Sequence, residues 1–172
     1  MRILAARIGQ RHCKSARMVS EGRKEGGQMN KRFFRLLIIE DDDARIAQFK
    51  SWVTPDVRVV VASSAGTALG ILQRDRGTVY GGILLDHDLQ KRTVTQMDKS
   101  LSGTQVIEAI ISNVSPDVPI LIHSTNSSGS AVMMARLIEE GFSVAREPMD
   151  TLDKNFFMKW LEQALALWED IE

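Results

Sequence analysis

Five apolar runs past residue 33, each followed by a segment of helical period, most limit the folds open to this chain. The runs are Leu36-Leu37-Ile38-Ile39, Val57 to Val61, Tyr80 to Leu85, Val118 to Ile122 and Phe142-Ser143-Val144-Ala145. Continuous rather than alternating apolar character marks strands buried on both faces, as in parallel sheets. The first intervening helix is expected to be capped by Asp42 or Asp43 and to turn Ile46, Phe49 and Trp52-Val53 inward. Ser63-Ser64 opens a second, with Leu69, Ile71 and Leu72 inward and an end near Gly77. Ser102-Gly103-Thr104 opens a third, with Val106, Ile107, Ile110 and Ile111. Residues 128–140 form a fourth, with Val132, Met133, Leu137 and Ile138 inward. The fifth, from about Leu152 to Ile171, buries Phe157, Trp160-Leu161, Ala164, Trp168 and Ile171. Short connections and right-handed crossovers make this an α/β fold: a doubly wound five-stranded parallel sheet in three α/β/α layers. Gln90 to Leu101 has no apolar period and reads as a loop, well placed as a lid.

The 172 residues suffice for one domain with its own core. Their formal net charge of zero conceals an asymmetry. Residues 1–32 carry nine Lys/Arg against two Glu, hence +7; the other 140 carry 13 against 20, hence −7. Segment 1–32 is expected to be a flexible basic extension, with Met29 as an alternative start, and residues 33–172 the folded domain. A nucleic-acid contact by the basic arm is the lesser reading, because no aromatic residue interleaves its charges. No run approaches the roughly 18 apolar residues of a membrane span. A single cysteine, Cys13, makes no internal disulfide, so the expected location is cytoplasmic.

In open parallel sheets, ligands bind beyond the carboxyl ends of the strands. There the sequence places Glu40-Asp41-Asp42, then Asp86-His87-Asp88, His123-Ser124-Thr125-Asn126 and Arg146-Glu147-Pro148. Beyond residue 32 the chain has two histidines, and both end apolar runs.

The segments "LLIIEDDDARI", "GGILLDHDL", "PILIHSTN" and "VAREPMD" resemble the four signatures of the response-regulator receiver domain, whose fold is flavodoxin-like. The resemblance covers about residues 34–172. It implies Glu40 and Asp41 as the acidic pair, Asp86 as phosphoacceptor and Ser124 as the hydroxyl. Glu147 stands before Pro148, where a receiver has Lys, which changes the local charge by two units. Arg146 is adjacent but points to the other face of a strand. "LDHDL" and "HSTN" with a following glycine further resemble the cyclic-phosphate processing receiver family. That resemblance implies hydrolysis of cyclic phosphates on nucleotides or RNA ends.

The chemistry fits these residues. Opening a cyclic phosphodiester requires a base for water and an acid for the leaving oxygen, and histidine suits both. His87 and His123 are the expected acid–base pair, with His123 as base, an order the sequence leaves open. Asp86 and Asp88 are placed to fix a tautomer or hold an imidazole protonated. Ser124, Thr125, Asn126 and Ser127, with Asp88 and Arg45, form the expected phosphate-binding set, aided by the amides of a helix start at Ser128-Gly129. Mg²⁺ is the expected metal at Glu40, Asp41 and Asp86 if one is bound, since it prefers carboxylate oxygens. The expected partner is a small phosphate ligand. Two other readings stay open: a stand-alone receiver phosphorylated on Asp86, and a non-catalytic pseudo-receiver that binds a protein through helix 4 and strand 5.

Overall fold

The computed structural model describes residues 33–89 and 103–170. The basic segment 1–32, the stretch from Gln90 to Leu101 and Ile171 lie outside the described residues. Strands β1 (Arg35–Ile39), β2 (Arg58–Ala62), β3 (Gly82–Asp86), β4 (Ile120–Ser124) and β5 (Val144–Pro148) alternate with helices α1 (Asp43–Trp52), α2 (Ala65–Arg74), α3 (Gly103–Asn113), α4 (Ser127–Glu139) and α5 (Lys154–Asp170). All strand pairs are parallel, in the order β2-β1-β3-β4-β5. Chain direction across the sheet reverses at β1 and β3, so a crevice opens beyond their carboxyl ends.

Strand alternation divides the core into two layers. Leu37, Ile39, Ile83, Leu85, Ile120 and Ile122 face α2, α3 and α4. Leu36, Ile38, Leu84 and Leu121 face Phe49 of α1 and Phe157, Trp160 and Leu161 of α5. Aromatic rings fill the second layer; Phe49 stacks on Phe157 with centroids 5.9 Å apart. Asp42 is the N-cap of α1, its carboxylate accepting from the amides of Ala44 and Arg45. Ser64 caps α2 by accepting from Thr67.

Three expectations need correction. Strands 4 and 5 extend past their apolar runs, so His123 lies inside β4 and Arg146-Glu147-Pro148 inside β5. Phe142 instead belongs to the turn after α4, where its amide donates to the Leu137 carbonyl. Finally, Val132 and Ile138 of α4 are exposed, while Ser130, Met133 and Leu137 face the core. The apolar positions 132 and 138 lie beside the buried stripe of that helix rather than within it.

Candidate functional site

Three carboxylates and a guanidinium converge at the carboxyl ends of β1 and β3. Glu40, Asp41 and Asp86 are buried. Arg45, one turn into α1, reaches back so that its Nη2 lies 2.8 Å from Glu40 Oε1, 2.9 Å from Asp86 Oδ2 and 3.7 Å from Asp41 Oδ1. The cap at Asp42 makes this reach possible, because it starts the helix directly after the strand. The Asp42 amide also donates to Glu40 Oε1 at 2.8 Å.

One guanidinium does not offset three buried carboxylates. Burial, followed by the charge of Asp86, pushes the Glu40 carboxyl up to about 7. Burial also raises Asp86, to about 6, against the pull of Arg45. One oxygen from each of the three acids lies within 4.8 Å of the others, and Glu40 Oε2 has no hydrogen-bond partner. An all-oxygen, electron-rich donor set with an unsatisfied buried oxygen fits a hard divalent cation such as Mg²⁺.

The two histidines take different surroundings. His123 pairs in register with Asp86 on one side and Glu147 on the other. Its ring therefore turns with Asp86 toward α1, where it lies fully buried, 5.0 Å from the Phe49 ring. Neither ring nitrogen makes a hydrogen bond; Nδ1 is 3.7 Å from Glu40 Oε2. Burial, then the charge of Arg45, lowers its proton affinity to about 3, so the imidazole is neutral. His87 follows Asp86 and turns toward the opposite face. Its Nδ1 is 2.8 Å from Asp88 Oδ1, and its ring lies against Gly129 in α4. Both His87 and Asp88 are partly exposed. The two imidazoles thus lie against helices on opposite faces of the sheet, and the expected convergence of the pair is not what the fold produces.

The expected phosphate-binding residues separate likewise. Ser124 is buried, and its Oγ accepts from the Asn126 amide at 2.9 Å. Thr125, Asn126 and Ser127 are exposed at the mouth. Asn126 is the N-cap of α4; its Oδ1 accepts from the Gly129 amide and the Ser128 hydroxyl, both at 3.0 Å. The amides of Ser127 and Ser128, in the first turn, have no acceptor within the helix. Arg146 turns away from the acids and donates to the Ser127 carbonyl at 2.8 Å and Ser130 Oγ at 3.1 Å. Arg45 therefore supplies, from α1, the cation that β5 does not. Two neighbours went unread in the sequence: Phe49, which encloses His123, and Gly129 as the surface under His87. Phe49 reads only as core, and the glycine signal is steric.

A five-stranded parallel sheet in this order, with an acidic cluster at β1 and β3, defines a receiver-type domain. The family model described as "Cyclic-phosphate processing Receiver domain" matches residues 36–139, and the chain belongs to that family. No curated protein sequence matches. Among solved structures, the chain is similar to a CheY-like response regulator receiver domain protein from Methanospirillum hungatei JF-1, with 16% identity and a TM-score of 0.59, covering 80% of this chain and 98% of that one. It is also similar to the signal receiver domain of an HD domain-containing protein from Pseudomonas fluorescens Pf-5, with 18% identity, a TM-score of 0.58 and coverage of 78% and 96%. A third is the signal receiver domain of a putative Luxo repressor protein from Vibrio parahaemolyticus, at 18% identity, a TM-score of 0.58 and coverage of 80% and 95%. At these identities the likeness is one of fold. Among the described residues, no helix is long and apolar enough to cross a membrane.

Proposed function

We propose that this domain hydrolyses a cyclic phosphodiester of a nucleotide or RNA end, with the His87–Asp88 dyad carrying the proton. The observation that supports this most is the placement of that dyad. Asp88 holds Nδ1 at 2.8 Å, which leaves Nε2 as the nitrogen for proton transfer. Nε2 lies over Gly129, in the first turn of α4, where unbonded helix amides favour an anion. In the reaction, Nε2 takes a proton from water as its oxygen attacks phosphorus. The bond from phosphorus to one ring oxygen breaks, and the same proton passes from Nε2 to that oxygen. Water and cyclic diester become a linear monoester and a free hydroxyl. Asp88 orients the imidazole through Nδ1.

The acids on the other face have a separate part. Glu40, Asp41 and Asp86 would hold Mg²⁺, which when bound supplies positive charge for a phosphate oxygen. Arg45 holds that cluster together in its absence. His123, buried and neutral, has no route to water and is a packing residue under Glu40. Ser127, Thr125 and Asn126 line the mouth on the dyad side.

The test is product analysis by ³¹P NMR with 2′,3′-cyclic nucleotides, with and without Mg²⁺. Wild-type protein is expected to release a linear monophosphate, and His87→Gln to lose on the order of 100-fold or more in kcat. Unchanged turnover in His87→Gln would rule out the dyad. The phosphorelay reading rests on Asp86 at the receiver phosphoacceptor position. A mass increase of one phosphoryl group after treatment with a small phosphodonor and Mg²⁺ would favour it. A protein partner at α4 and β5 has the support of exposed Val132 and Ile138.

A further inference from the structure

Gly129 occupies the third position of α4, where nothing in the backbone requires glycine. Among the described glycines only Gly77 and Gly141 have positive φ. Inside a helix, glycine is about 1 kcal/mol less favourable than alanine. The reason for it here is steric. A Cβ built on Gly129 would lie 2.1 Å from Nε2, 2.4 Å from Cε1 and 2.7 Å from Cδ2 of His87. The three nearest atoms all belong to one imidazole. The missing methyl is therefore the space that the ring occupies.

We infer that Gly129 is a positioning residue that fixes the orientation of the His87 imidazole. Asp88 grips the ring at Nδ1, and the bare backbone of α4 supports its other edge. The two contacts together hold a ring that a single side-chain bond between adjacent residues would leave free to swing. The Asn126 carboxamide fixes the Gly129 amide at 3.0 Å, so the supporting surface is itself held in place. A methyl at position 129 displaces the imidazole toward solvent, where it is already partly exposed, and leaves the core untouched. The catalytic meaning of this seat rests on the proposed role of His87; the seat itself does not.

The experiment compares wild type, Gly129→Ala and the double variant His87→Ala/Gly129→Ala. In wild type, ¹H–¹⁵N long-range spectra should show one His87 tautomer, with Nδ1 protonated, and an Overhauser contact from the ring to the Gly129 α-protons. Gly129→Ala should lose that single-tautomer signature and the contact between residues 87 and 129. Its melting temperature should equal or exceed that of wild type. On cyclic phosphate it should lose kcat on the order of 100-fold, with KM nearly unchanged. If Gly129→Ala folds poorly, the double variant should recover the loss, because removing the ring removes the clash. Unchanged His87 resonances in Gly129→Ala, or no recovery in the double variant of a destabilised single one, would overturn the inference. A changed ring with unchanged kcat would overturn the positioning role. A wild-type protein inert toward cyclic phosphates would count against the proposed function alone, since the spectra still decide the seat.

Discussion

Glu40→Gln should make the protein more stable at alkaline pH and leave it unchanged under acid conditions. The Glu40 side chain is fully buried, and burial lifts its proton affinity from an ordinary 4.5 to about 7. The folded state then holds the proton more tightly than the unfolded state. Stability from this group is fully present below about 4.5 and is lost as pH rises through about 7. At about 1.4 kcal/mol per tenfold change in proton affinity, the ionised carboxylate costs at most about 3–4 kcal/mol above that range. Glutamine keeps an acceptor for the Asp42 amide and for Arg45, each now at 2.8 Å from Oε1, but loses the ionic part of the Arg45 contact. The expected net gain is about 1–2 kcal/mol at about pH 8. For a domain of this size that is a rise of roughly 4–8 °C in Tm.

The assay is urea unfolding of both proteins from about pH 4 to pH 8, in chelator, followed by the fluorescence of Trp52, Trp160 and Trp168. The difference between variant and wild type is the quantity to read. Asp86, raised to about 6, runs in the same direction as Glu40. His123, lowered to about 3, runs in the opposite one: its contribution is present above 6.5 and is lost as pH falls through about 3. Subtraction removes only what the two proteins share; Asp86 raises Glu40 by its charge, so the difference belongs to Glu40 together with that coupling. A Glu40→Gln protein less stable than wild type at about pH 8, or a difference that does not vary with pH, would refute the reasoning.

Arg45→Met should destabilise the domain at neutral pH by about 2–3 kcal/mol, below the roughly 3–5 kcal/mol of a fully buried pair because the guanidinium is partly exposed. Mg²⁺ should restore more of the Tm in this variant than in wild type, as thermal shift would register. His123→Phe should be tolerated within about 1.5 kcal/mol, since neither nitrogen is bonded and the Phe49 ring already encloses the site. It should flatten the loss of stability toward acid pH, and a collapse of turnover in this variant would return His123 to the chemistry.

The fold was legible because five apolar runs, with segments of helical period between and after them, set the order of the elements. Core positions such as Phe157, Trp160 and Trp168 follow from periodicity alone. Strand ends were not legible, because a hydrophobicity pattern stops at the last apolar residue while the hydrogen-bond ladder does not. Asp86, His123 and Glu147 remain in register across three strands although all are polar. Placing His123 beyond the end of its strand hides its alternation, and alternation sends its ring toward α1 and out of water. The acids were legible as a set, since each ends a strand. The reach of Arg45 into that set was only a candidate, because an exposed helix position and a long side chain folded back on the preceding strand look alike in sequence. Gly129 was legible as part of a helix start, but its contact with His87 was not, since the ring it accommodates comes from another strand.

The end of β3 also accounts for the division of the site. Successive residues on a strand project to opposite faces, so Asp86 enters the dry layer under α1 while His87 enters the wet one beside α4. The dry side concentrates charge that is poorly compensated, and the wet side holds a dyad open to solvent. They are joined by one short link: the Asp88 amide donates to Asp86 Oδ1 at 3.3 Å, and the Asp88 carboxylate holds His87. A proton or cation taken up by Asp86 weakens that oxygen as an acceptor, and so acts on the residue that orients the imidazole. A ligand lying across the tip of β3 touches both sides at once, which neither histidine pairing nor the acid cluster alone would require.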